Sequence, residues 1–85
     1  MNKVQFLKNL ETEIRIAKLS PYTLRNYYDA NKSLLEHTQM NPLNITQQEI
    51  KEYLAKCMNN KSTSSTILFL SAIKFAYTSL LHLDP

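Results

Sequence analysis

Glycine and tryptophan are absent from this 85-residue chain, which has one cysteine, Cys57, and three prolines. Without glycine, the loops that wrap phosphates in nucleotide-binding enzymes cannot form. Tight two-residue hairpins, which favour positive φ, are disfavoured as well. A single cysteine excludes an intramolecular disulfide framework. No apolar run approaches the ~20 residues that a membrane-spanning helix needs. The opening stretch carries Glu11 and Glu13 and lacks the apolar core of a secretory signal, so a cytoplasmic location is expected. A chain this short has room for one domain and buries about 60% of its unfolded surface. Its composition, 44% hydrophobic and 20% charged, is that of a globular chain.

Charge of either sign is sparse, with ten Lys and Arg against seven Asp and Glu, a net +3. The excess lies in residues 1–20 (Lys3, Lys8, Arg15 and Lys18 against Glu11 and Glu13) and residues 61–85 (Lys61 and Lys74 against Asp84). A balance this small is compatible with phosphate binding but does not demonstrate it.

What the chain does have is helical periodicity. Four amphipathic segments are predicted, over about 2–18, 21–39, 47–58 and 63–82. In the first, Phe6, Leu7, Leu10, Ile14 and Ala17 share one face. The second opens on Ser20-Pro21, a favoured N-cap followed by a proline that loses no hydrogen bond at the first helical position. Leu24, Tyr27, Tyr28, Asn31, Leu34, Leu35 and Thr38 then line one side, and Met40-Asn41-Pro42 ends the run. The third begins with a capping box, Thr46-Gln47-Gln48-Glu49. Its stripe is Ile50, Tyr53, Leu54 and Cys57, with Asn59-Asn60 as the expected left-handed stop.

The fourth starts in the hydroxyl run Ser62-Thr63-Ser64-Ser65-Thr66. Phe69, Leu70, Ile73, Ala76, Tyr77 and Leu80 lie on one side, and Leu68, Ala72 and Phe75 on another. A helix apolar nearly all round belongs in the middle of a bundle. The expected fold is therefore all-α, a compact four-helix bundle with the fourth helix central.

Groups suited to catalysis are few. Cys57 on an apolar stripe reads as a buried thiol that packs as a small hydrophobe. His37 and His82 lie in no metal-ligand spacing, and a His near the end of the last helix suits its dipole. No catalytic group, metal or cofactor is assigned. Binding groups are better represented. The outer face of the second helix carries Tyr22, Arg25, Asn26, Asp29 and Ser33. Arg and Asn side chains read base edges or hold phosphates, although Arg25 could instead pair with Asp29 one turn on. Lys61 and the hydroxyls that follow suit a phosphate at a helix start, although Ser62 or Thr63 could simply cap the helix.

Four stretches together resemble the N-terminal core-binding, SAM-like domain of tyrosine recombinases, the phage integrase family. They are Phe6–Leu10, Leu19-Ser20-Pro21-Tyr22-Thr23-Leu24-Arg25-Asn26-Tyr27, Ile45-Thr46-Gln47-Gln48-Glu49-Ile50-Lys51-Glu52-Tyr53-Leu54, and Ser64-Ser65-Thr66 with Leu70–Tyr77. They occur in the family's order and cover nearly all of the chain. The resemblance implies a SAM-like bundle that docks on double-stranded DNA. Its implied partners are a C-terminal catalytic domain of the same parent protein and other recombinase protomers on the DNA.

Carried over by position, Tyr22, Thr23, Arg25 and Asn26 would face DNA from the second helix. Lys61, Ser62, Thr63, Ser64, Ser65 and Thr66 would do so from the fourth. The family's Arg, Lys, His-x-x-Arg and nucleophilic Tyr belong to the catalytic domain. Neither His37 nor His82 begins a His-x-x-Arg motif, and Leu83-Asp84-Pro85 matches the start of the family's interdomain linker. The chain is therefore expected neither to cleave nor to ligate DNA. The alternative is a protein-interaction module without DNA binding, using exposed apolar residues such as Ile16, Leu68 or Phe75.

Overall fold

A computed structural model describes residues 2–81, the side chain of residue 81 excepted. His82 and the linker-like Leu83-Asp84-Pro85 lie outside the described residues. Within them are four α-helices, α1 (Lys3–Ile16), α2 (Pro21–Thr38), α3 (Gln47–Cys57) and α4 (Thr63–Leu81), with no strand. One turn of 3-10 helix, Pro42–Asn44, joins α2 to α3.

The helix starts are fixed by the predicted residues. The Ser20 hydroxyl accepts from the Thr23 amide at 3.1 Å, and Pro21 takes the first helical position. Thr46 and Glu49 form their capping box, in which the Glu49 carboxylate accepts from the Thr46 amide at 3.0 Å and from its hydroxyl. These bonds hold the Glu49 carboxyl below the usual carboxylate range.

The helix ends differ from expectation. α1 stops at Ile16 rather than Lys18, and Ala17 is exposed instead of lying in the core. Lys18 has φ 58°, and the amides of Lys18 and Leu19 bond to the carbonyls of Arg15 and Ile14. This is a Schellman stop built without glycine. Gln39, at φ 53°, ends α2 in the same left-handed region. Asn59 and Asn60 do not: the positive-φ residues are Lys18 and Gln39. α3 ends at Cys57, the last residue of its apolar stripe, with Met58 as its C-cap.

Phe6, Leu10 and Ile14 of α1, Leu34 and Leu35 of α2, and Phe69, Ile73 and Ala76 of α4 make the core. Each large side chain buried in this way contributes about 1.5–3 kcal/mol. α4 is the shared partner. It packs on α2 and α1, and it meets α3 through a stacked ring pair, Tyr53–Phe69, with centroids 4.9 Å apart.

α4 crosses α2 rather than running along it. Phe75 lies against Tyr27 in the first half of α2 (centroids 5.6 Å apart), whereas the Tyr77 hydroxyl donates to the Pro42 carbonyl, beyond the end of α2, at 2.9 Å. Between these contacts, the Asn31 side-chain amide donates to the carbonyls of Tyr27 (2.9 Å) and Ala72 (3.2 Å). Asn31 is the one buried polar side chain of the described core.

Two further expectations are corrected here. Cys57 is exposed rather than buried: Ile50 is the one buried residue of α3, Tyr53 and Leu54 are half-buried against the core, and Cys57 lies at the rim. On α4, Leu70 is 42% exposed rather than a core residue, and Leu68 (37%) and Ile67 (59%) are exposed with it. The gap between α3 and α4 leaves Leu70 uncovered.

Candidate nucleic-acid interface

The ten residues proposed for DNA fall into two patches that share no hydrogen bond, ion pair or ring contact. In the first, Tyr22 is 73% exposed and Arg25 is exposed. Arg25 does not pair with Asp29. The ion pairs among the described residues are Arg15–Glu11 and Lys32–Glu36. The guanidinium therefore keeps all its donors for an outside acceptor. Asn26 and Thr23 are half-buried and partly engaged. The Asn26 side-chain amide donates to the Tyr22 carbonyl at 3.0 Å, and the Thr23 hydroxyl accepts from that of Ser20 at 3.0 Å.

In the second patch Ser62 is the cap. Its hydroxyl accepts from the Ser65 amide at 3.2 Å and donates to the Ser65 hydroxyl at 3.1 Å. The Thr66 hydroxyl donates back to the Ser62 carbonyl at 3.2 Å. Lys61, Thr63 and Ser64 are exposed, with no side-chain partner among the described residues. The amides of Thr63 and Ser64 are also unspent, as the first amides of a helix are. The first patch offers only the Tyr22 amide, since Pro21 has none.

The ten thus divide by physical role. Thr23, Asn26, Ser62, Ser65 and Thr66 help hold two helix starts together. Tyr22, Arg25, Lys61, Thr63 and Ser64 present unengaged groups. The protein extends 32 × 26 × 21 Å, shorter in each direction than one turn of B-form DNA, about 34–36 Å.

One pairing was not legible from sequence. Cys57 Sγ lies 3.6 Å from His37 Nδ1, and the His37 ring meets Tyr53 edge-on with centroids 5.3 Å apart. The histidine thus meets the Tyr53 ring, with no hydrogen bond between them. Burial disfavours its phenolate and pushes the phenol up, only partly offset by a hydrogen bond with Ser33. Among the described residues no three His, Cys, Asp or Glu side chains converge. No helix there is long and apolar enough to cross a membrane.

Comparison with known families gives a match to the phage integrase N-terminal SAM-like domain over residues 6–84. The chain belongs to that family. The match includes all of α2, α3 and α4, and hence both patches. Neither the curated proteins nor the solved structures give a match.

Proposed function

We propose that this integrase-family domain docks on duplex DNA at a recombination site and leaves strand cleavage to a catalytic domain of the same parent protein. The family match over residues 6–84 carries this reading. The free groups support it: Arg25, Lys61, Thr63, Ser64 and the α4 amides are donors suited to phosphate oxygens, and Tyr22 adds an exposed ring. Arg25 is the best candidate for a guanine edge, because its planar fork is unspent. Asn26 keeps its carbonyl and one amide hydrogen for a base. Thr23, Ser62, Ser65 and Thr66 hold the helix starts in shape; Thr23 and Ser65 accept there and keep a hydroxyl hydrogen for a phosphate oxygen, whereas Ser62 and Thr66 donate theirs within the cap.

Affinity of the isolated domain is expected to be low, because few charges face the DNA. The natural complex would include other recombinase protomers. An amide-shift titration of the ¹⁵N-labelled chain with duplex DNA tests the mode. Shifts centred on Tyr22–Asn26 and Lys61–Thr66 support it. Shifts that leave both segments unmoved refute it.

A further inference from the structure

α3 and α4 do not close on each other. Beyond the Tyr53–Phe69 stack they diverge around a groove of about 350 Å³. Its apolar lining is Ile50 and Leu54, one turn apart on α3, and Leu70 and Ile73, one turn apart on α4. Each wall also carries one lysine, Lys51 on α3 and Lys74 on α4. Both lysines are exposed, and neither belongs to an ion pair of the described residues. None of these six residues is among those proposed to face DNA.

We infer that this groove is a docking site for an amphipathic helix of a partner protein, with aliphatic residues on its inner stripe and Asp or Glu on both flanks. Two helix walls with side chains one turn apart form the slot that a third helix's ridge fills. Ile50 and Ile73 form its buried floor, and covering the exposed Leu70 and half-buried Leu54 supplies the driving force. The two unpaired cations, one on each side, set the required charge and give the occupant acidic flanks rather than basic ones. A DNA backbone would find the lysines but gain nothing from four aliphatic side chains.

The test uses three probes with the full 85-residue chain. The first is a synthetic helical peptide with Leu at successive inner positions and Glu on both flanks. The second is the same peptide with Lys for Glu, and the third is a short DNA duplex. The expected result is that the acidic peptide shifts the amides of Ile50, Leu54, Leu70 and Ile73. It should bind about tenfold more tightly than the basic one, an effect on the scale of two exposed ion pairs. The K51E/K74E variant, changed only at exposed positions and checked for unaltered helicity, should reverse that preference. The inference is overturned if the acidic peptide does not bind, if both peptides bind alike, if their shifts fall elsewhere, or if only DNA moves the groove amides.

Discussion

Salt should weaken DNA binding by this domain gently, and the structure sets how gently. Each phosphate neutralised on B-form DNA contributes about −0.9 to the slope of log affinity against log salt. The two patches contain two free cations, Arg25 and Lys61. The expected slope is then about −1.8, so raising salt from about 50 to about 200 mM should cost roughly twelvefold in affinity. Removing Arg25 as R25A should halve the slope to about −0.9, and the loss over the same interval should shrink to roughly three- to fourfold. The R25A/K61A double variant should be nearly insensitive to salt.

The R25K variant separates two roles for the same residue. If Arg25 only neutralises a phosphate, Lys keeps the slope and the affinity. If it reads a guanine through its fork, Lys keeps the slope but loses preference among sequences, because an ammonium cannot make the paired contact. Fluorescence anisotropy at four or five salt concentrations measures all of these. A wild-type slope of about −4 or steeper would refute the reasoning, since other lysines would then carry the contact. So would a slope that R25A leaves unchanged.

Three other predictions concern how the helices are held. Burial pushes the Tyr77 phenol up to about 12 from its ordinary value of 10.0. The native state thus keeps a proton that the unfolded chain releases, and stability should be complete below pH 10 and fall as pH rises from there through about 12; Y77F, followed by denaturant melts, should lose this alkaline fall and cost about 1–2 kcal/mol at neutral pH, because the buried Pro42 carbonyl loses its donor. Glu49 behaves in the opposite sense: its carboxyl is held low by the Thr46 cap, so its contribution is present above the ordinary Glu value of 4.5 and is lost as pH falls through the lower native value, a dependence that E49Q should remove from acid melts followed by circular dichroism. K18G should raise the melting temperature, through a gain of about 1 kcal/mol, because Lys18 occupies a left-handed position that glycine adopts without steric cost.

How much of this was legible in the sequence depends on whether the deciding contact is local. Ser20-Pro21 and Thr46–Glu49 act within one turn, so their residue types predict the helix starts. Phe6, Leu10, Ile14, Leu34 and Ile73 are buried as their spacing requires. Prediction weakens where a stop must be made without glycine. Lys18 and Gln39 carry no propensity for the left-handed region, yet the backbone bonds that close α1 and α2 hold them there, while the better-suited Asn59 and Asn60 are passed over. It also weakens where two helices must meet. An apolar residue on α4 is buried only if a neighbour arrives, and because α3 stands off there, Leu70 is left in the open. In the candidate interface, sequence identified the hydroxyl run but not which members are occupied by capping. Only the hydrogen bonds distinguish Ser62, Ser65 and Thr66 from Thr63 and Ser64.

The relative placement of the two patches rests on the point where α2 and α4 cross, and Asn31 is the polar group at that point. Its amide bonds to Tyr27 on its own helix and to Ala72 on the other, and the side chain is 1% exposed. Both carbonyls lie inside helices whose ladders give them a second partner, so losing Asn31 strands neither. Truncation as N31A should therefore cost about 2–3 kcal/mol, one part from the bonds and one from the small cavity. N31L keeps the branching at Cγ without a polar atom, and although its methyls are bulkier, on stability alone it should cost less than N31A, about 1–2 kcal/mol. What N31L removes is the directional bond that selects one crossing among several that an apolar contact would accept. The contact between Tyr27 and Phe75 should then broaden in nuclear Overhauser spectra, and DNA-induced shifts at one patch should uncouple from those at the other. An N31L protein that keeps the Tyr27–Phe75 contact sharp and titrates with DNA like wild type would show that aliphatic packing alone sets the crossing, and that Asn31 does not hold the two arms in register.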